Sequence, residues 1–367
     1  MVSRREFMVS IATLASFELL QACSPVSNSE SYEHAVQSTW RQGKVNTHDK
    51  SALLYELVRY ATLAPSSHNT QCWKFHVEDD AISILPDYSR RCPAVDPDNH
   101  HLFVSLGCAT ENLVQASLAN GLKGHVNFDA TSNGITRVVL EPTKFNKSDL
   151  FQAIPERQST RGEYDGKSIS MQELKMLELA GTGKNVQMII FTEQKAMENI
   201  LDYVIQGNTS QMNSPTFVKE LEEWIRFNAN EAVRTRDGLY SVTTGNPNIP
   251  TWFGNLFFDL FVTPKSENDK YAKQVRSSAG IAIFVSSIAS KENWVEVGRC
   301  YERFALQATA LGIKNAFLNQ PVEVSTLRPQ FAASLGIGSL RPDLVVRFGR
   351  GKKLPQSLRR PVSMVLI

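Results

Sequence analysis

The pentapeptide Arg157-Gln158-Ser159-Thr160-Arg161 sets a guanidinium group on either side of a hydroxyl, a group that suits a doubly charged phosphate. Each guanidinium offers bidentate, charge-assisted bonds and the serine supplies a third donor. A solvated turn with two surface arginines uses the same residues. A second cluster, "APSSHNTQCW" from Ala64 to Trp73, gathers Ser66, Ser67, Asn69 and Gln71, neutral donors and acceptors that fit the polar edge of a planar heterocycle. A third, "RFGRGKKLPQSLRRPV", places Arg359 and Arg360 just before Pro361. Taken separately, the last two also read as an N-cap cluster and a basic surface tail.

Other chemistries find little support. No Ser-His-Asp order, metal box or catalytic carboxylate pair stands out, and "GIGSLR" at Gly336 and "GRGKK" at Gly349 are incomplete as dinucleotide or Walker loops. Cysteines at 23, 72, 92, 108 and 300 have neither the C-x-x-C spacing of a zinc ribbon nor the density of a disulfide scaffold. His100 and His101 are adjacent and point in different directions on a helix or strand, so no metal is expected. A formal charge of +2, from 39 basic and 37 acidic residues, creates no field to hold a polyanion, and nucleic acid is not an expected partner.

The elements that must position these groups occur twice. Val36-Gln-Ser-Thr-Trp40 matches Arg157-Gln-Ser-Thr-Arg161, "APSSHNTQCWKF" from Ala64 matches "AGTGKNVQMIIF" from Ala180, and "GCATENLVQASLANGLK" from Gly107 matches "GRCYERFALQATALGIK" from Gly298. Three matches in one order indicate an internal duplication. The third has the larger offset, which implies an insertion in the second copy. In the first copy Leu53, Leu54, Leu57, Val58 and Ala61 mark an amphipathic helix, "WKFHV" and "AISIL" a hairpin, Leu102, Leu106, Ala109, Leu113 and Ala116 a long helix ended by Gly121, and "ITRVVLEP" a closing strand. The second repeats the order as "MQELKMLELA", "VQMIIF", "AGIAIFVS", the helix of Trp294, Val297, Tyr301, Phe304, Ala308 and Leu311, and "PDLVVRFG". The expected class is α+β, without βαβ alternation. The expected boundaries are 46–150 and 151–367 for the repeats, with the insertion at about 205–275. Its run "NPNIPTWFGNLFFDLFVTP" reads either as a lid or as an extra helix packed on the core or a second subunit.

The first 23 residues have the order of a targeting peptide: "SRREFM", a modest apolar run that is too short to span a membrane, then "LQAC". They resemble a twin-arginine export signal, on Ser3, Arg4, Arg5 and Phe7, joined to a lipoprotein cleavage box with Cys23 as the lipidated residue. Residues 24–45 read as a tether that includes the start of the first repeat. The expected location is the periplasmic or cell-surface side of a bacterial membrane, with a lipid anchor.

Arg157, Ser159 and Arg161, with Ala64, Pro65, Ser66, Ser67, Asn69, Gln71 and Trp73 and either Arg359 or Arg360, resemble the motifs of the nitroreductase family of FMN flavoproteins over residues 45–367; Cys72 stands where that family has proline. The resemblance implies a nitroreductase-like fold and FMN held between an R-x-S-x-R motif and a P-S-S-x-N turn from two subunits. Here the two motifs lie in different repeats, so the chain resembles a dimer fused into one chain, as in the Acg-type branch. By family position Asn319 and Gln320 would face the flavin ring. The implied activity is electron transfer from a donor such as NAD(P)H to nitroaromatic, quinone-like or similar small acceptors; a flavin-sequestering protein sealed by its insertion is the alternative. A fused dimer would hold two related pockets. The "VQSTW" copy lacks both arginines, so one flavin is expected, since a buried phosphate without counter-charge is strongly unfavourable.

Overall fold

A computed structural model describes residues 31–43 and 49–367. The export and lipidation reading of residues 1–23, Cys23 included, lies outside the described residues. Part of the expected tether is helix α1 (Tyr32–Thr39), which packs Tyr32, Ala35 and Val36 against Tyr240 and Leu358. Helix α2 (Lys50–Thr62) begins where the Asp49 carboxylate accepts from the Ala52 amide at 2.9 Å, and it buries the predicted Leu53, Leu54, Leu57, Val58 and Ala61. Strands β1 (Trp73–Val77) and β2 (Ala81–Pro86) form a hairpin. Helix α3 (His100–Ala119), β3 (Leu122–Asp129), β4 (Ile135–Pro142) and the short α4 (Asp149–Ala153) follow.

The second copy opens with α5 (Met171–Gly181), set by a capping box between Ser170 and Glu173, and β5 (Val186–Phe191). The insertion then carries α6 (Gln194–Met212), α7 (Pro215–Trp224), a small parallel pair β6 (Ile225–Arg226) and β7 (Leu239–Tyr240) around α8 (Ala229–Thr235), then α9 (Thr251–Phe261) and α10 (Pro264–Arg276). The repeat resumes with β8 (Gly280–Ser286), α11 (Lys291–Ala310), β9 (Lys314–Phe317), α12 (Gln320–Glu323), α13 (Arg328–Ser334) and β10 (Arg341–Gly349).

The sheets run β1-β2-β4-β3 and β5-β8-β10-β9, with every neighbouring pair antiparallel. Counting each copy's own strands, both sheets have the order first, second, fourth, third. The α+β class and the duplication are thus visible in the topology. Helix α3 lies on the first sheet and α11 on the second, and the two helices pack on each other between them. Both end at a glycine in the left-handed region, Gly121 at φ 78° and Gly312 at φ 71°, separated by the same sequence offset as Gly107 and Gly298.

The insertion occupies residues 192–279, where the first copy has only residues 78–80. The first copy is in turn longer before its long helix, at 87–99 against 287–290. The sequence offset nets these two differences, so it understates the insertion. Two outlying segments complete the sheets. Leu366 bridges to Phe75 on β1 of the first sheet, and Ser159 bridges to Asn315 on β9 of the second. Among the described residues, no helix is long and apolar enough to cross a membrane.

Candidate functional site

Pairing with β9 holds residues 157–161 extended, the Thr160 amide donating to the Asn315 carbonyl at 2.8 Å. Side chains of an extended segment alternate between faces, so Arg157, Ser159 and Arg161 share one side. The intervening pair is used elsewhere: the Gln158 amide group donates to the Leu354 carbonyl at 2.8 Å and accepts from the Leu354 amide at 2.8 Å. The other Gln-Ser-Thr, at 37–39, is helical in α1. A helix cannot bring residues 36, 38 and 40 to one face, so "VQSTW" has no structural equivalence to "RQSTR". Trp40 instead lies under the Arg359 guanidinium, 4.9 Å from ring centroid to carbon, at the same cavity as Arg157.

That cavity has a volume of ≈ 50 Å³ and is lined by Ser66, Asn69, Arg157, Ser159, Arg161 and Arg359, among others. Its donors are unequally available. Arg359 is spent on the carbonyls of Thr62, Leu63 and Ala64 at the end of α2, at 2.9, 3.2 and 3.0 Å, and on Asn69 Oδ1 at 2.9 Å. Arg157 gives one Nη to the Leu63 carbonyl at 3.1 Å and sets its Nε 3.2 Å from Glu302, while its buried Nη1 has no hydrogen-bond partner among the described residues. The Arg161 guanidinium has neither an ion pair nor a hydrogen bond among the described residues. Glu302 is the carboxylate set against Arg157, and burial, outweighing Arg157, holds it up to about 7. Burial and then Arg157 push Arg359 down to about 9. Three guanidinium groups therefore converge with one weakly ionised carboxyl, and the balance favours an anion.

Gln71 and Arg360 do not join them. The Arg360 amide donates to Gln71 Oε1 at 2.7 Å, its guanidinium donates to the Gln71 and Trp73 carbonyls at 2.6 and 3.3 Å, and Gln71 Nε2 donates to the Arg236 carbonyl at 2.8 Å. The two residues hold the turn rather than line the cavity. That turn is strained, with His68, Asn69 and Gln71 at φ 48°, 54° and 55°, and its internal bonds stabilise a conformation that non-glycine residues rarely adopt.

A larger cavity of ≈ 220 Å³ shares Pro65, Ser66, Arg161, Leu239 and Phe317 with the smaller one. Ser67, Asn319 and Gln320 line it. Asn319 Oδ1 accepts from the Val345 amide at 3.0 Å, and the buried Gln320 Oε1 has no hydrogen-bond partner among the described residues. The sequence reading missed His101, Glu323 and Tyr271 on the same wall. His101 Nδ1 stands 3.7 Å from Glu323, whose other oxygen accepts from Gln211 at 2.7 Å. Burial lowers the imidazole and raises the carboxyl, each opposed by the other. Burial thus works against the charged form of each partner at the cavity wall. The insertion supplies Asn208, Gln211, Phe217 and Leu221 to the wall, so it covers this chamber.

The counterpart pocket is filled. Where α3 presents Ser105 and Cys108 to the chamber, the repeat alignment puts Glu296 and Arg299 on α11, with Arg303 one turn further on. Arg299 and Arg303 bind Glu111 at 3.2 and 3.1 Å, and Arg299 also binds Glu296 at 3.1 Å. Gly183, the counterpart of Ser67, sits so close that a Cβ there would lie 2.5 Å from Glu296 Oε1 and 2.6 Å from Cys300 Sγ.

No protein-family model matches the chain. Two Mycobacterium tuberculosis proteins, from strains H37Rv and CDC 1551 and each provisionally named an NAD(P)H nitroreductase, are 22% identical over 333 residues, which cover 88% of this chain and 93% of theirs. The chain is similar to nitroreductases. Matching solved structures include a Bacteroides fragilis nitroreductase with bound FMN, at TM-score 0.33 and 16% identity over 56% of this chain and 89% of that one. Another is an FMN-dependent nitroreductase of Mycobacterium smegmatis in complex with NADPH, at TM-score 0.36 and 12% identity over 56% and 88%.

Proposed function

We propose that this chain is an FMN-dependent oxidoreductase of the nitroreductase type, with one flavin site built from both repeats. The observation that carries the reading is the unspent charge of Arg157 and Arg161 beside Ser159, opening into the chamber of Ser67 and Gln320. The residues fit the cofactor. Arg161, Arg157 Nη1 and the Ser159 hydroxyl would hold its phosphate, and Gln320 and Asn319 would meet the polar edge of its ring. Bound there, the flavin would accept a hydride from a donor and return two electrons to an acceptor. The chain's own part is to bind and orient, to exclude water through the insertion, and to supply a proton from His101 and Glu323. NAD(P)H is the proposed donor, and nitroaromatic or quinone-like molecules are the proposed acceptors. The nitroreductase names of the relatives support the reading.

A flavin-sequestering role is the second reading, favoured by the insertion residues that wall the chamber. Purified protein with a flavin spectrum that bleaches on stopped-flow mixing with NADPH or NADH supports the oxidoreductase; a bound flavin that stays oxidised supports sequestration, and failure to bind FMN at all overturns both. We also propose export and lipid anchoring through Cys23. A Cys23→Ala protein that still fractionates with membranes would overturn the anchor.

A further inference from the structure

We propose that His68, Cys92 and Glu220 form a site for a divalent metal ion of the zinc class, which clamps the insertion to the wall of the large chamber. The site stands apart from the flavin reading and does not depend on it.

The three ligand atoms lie within 4.8 Å of one another. They come from separate segments: the strained turn after α2, the loop between β2 and α3, and helix α7 of the insertion. Around a tetrahedral zinc ion, ligands at about 2.0 and 2.3 Å lie about 3.5 Å from one another. Side-chain adjustments of about an ångström, shared between partners, therefore close the set.

Each residue is hard to explain without a cation. His68 Nε2 is shut off from solvent and has no hydrogen-bond partner among the described residues, which leaves that nitrogen open to a cation. Glu220 is buried and accepts from the Ala94 and Val95 amides at 2.8 and 3.1 Å, yet no lysine or arginine pairs with it among the described residues. Those two amides would orient the carboxylate, as outer groups do around bound metals. Cys92 is a buried free thiol. Arg161 lies near enough to act against a cation at the imidazole.

The ligand set is of the right kind. Imidazole nitrogen, thiolate and carboxylate are all zinc donors, and the two anions balance a 2+ charge once the thiol proton is released. Three protein ligands leave a fourth position, and His68, Val95 and Phe217 also line the chamber. The ion would tie the turn carrying Ser66 and Ser67 to α7, fixing the insertion over the cavity.

Cobalt(II) titration of the full chain, freed of flavin and metal, tests the site, because a thiolate ligand gives cobalt a near-ultraviolet charge-transfer band. The expected result is one equivalent of cobalt with that band, displaced by zinc, lost in Cys92→Ser and weakened at least about tenfold in affinity in Glu220→Gln and His68→Gln. A band that survives in Cys92→Ser, or folded wild-type protein that gives no band, overturns the proposal. Should Cys92→Ser fail to fold by circular dichroism, Glu220→Gln decides: unchanged affinity overturns the site. Because flavin is absent throughout, no outcome depends on whether the chain binds FMN.

Discussion

Gly107 and Gly298 make the same contact in opposite directions. A Cβ built on Gly107 would lie 2.0 Å from the carbonyl oxygen of Val295, three residues before Gly298, and a Cβ on Gly298 would lie 2.0 Å from that of Val104, three residues before Gly107. The two long helices thus touch through their backbones about a local two-fold relation. Cys108 reinforces the contact by donating to the Gly298 carbonyl at 3.3 Å.

Gly298→Ala forces α3 and α11 apart at the centre of the molecule, where both sheets and the site depend on their spacing. Overpacking at such a contact costs about 1–3 kcal/mol, and rigid backbone on both sides puts this case at the upper end. Chemical denaturation should show a lower midpoint; an unchanged midpoint would mean that the helices are not held at this distance.

Arg161→Ala should weaken FMN binding by roughly 30-fold, equivalent to about 2 kcal/mol for a lost charge-assisted contact. Arg360→Ala should leave FMN affinity near wild type and reduce stability instead, because it leaves the Gln71 and Trp73 carbonyls without their donor. Fluorescence titration of flavin-free protein measures the first effect and urea unfolding the second. Equal loss of FMN affinity in both variants would place the phosphate elsewhere.

Stability should fall between pH 5 and 7. Burial raises Glu302 from 4.5 to about 7 and Asp96 from 3.8 to about 7, so the folded protein holds these protons more tightly than the unfolded chain. Their contribution is full below the unfolded values, is lost as pH climbs to about 7, and stays flat above. Unfolding of flavin-free Glu302→Gln from pH 5 to 8 should show a shallower decline. An unaltered slope would mean that Glu302 is ionised throughout, as a settled partner of Arg157.

On the oxidoreductase reading, Glu323→Gln should keep FMN bound and preserve reduction by the donor. Electron delivery to a quinone or nitroaromatic should slow by at least about tenfold, since the proton source is gone. A solvent isotope effect on that half-reaction should be present in the wild type and altered in the variant. Equal rates in both half-reactions would remove the pair from the chemistry.

Much of the scaffold was legible from periodicity. The apolar spacing of Leu53 to Ala61 and of Leu102 to Ala116 gave real helices, and Gly121 and Gly312 ended theirs, because these signals are local. The Arg157-Ser159-Arg161 set was legible as a charge pattern, and its extended backbone puts the three side chains on one side. The first Gln-Ser-Thr misled because a tripeptide takes its conformation from its surroundings: Tyr32 and Val36 dock on Tyr240 and wind it into a helix. Gln71 and Arg360 had the right chemistry, but a strained turn consumed it. His101 and Glu323 were out of reach, since only the folded chain brings residues so distant in sequence to 3.7 Å.

The filled counterpart pocket bears on how such a molecule changes over time. In a symmetric dimer encoded by one gene, each substitution strikes both pockets at once, so neither can be given up alone. With both halves in one polypeptide, Glu296, Arg299 and Arg303 plug one side while Ser105 and Cys108 line the open one. Restoring symmetry would require several coordinated reversals along α11, so divergence of the halves works as a ratchet toward a single working centre.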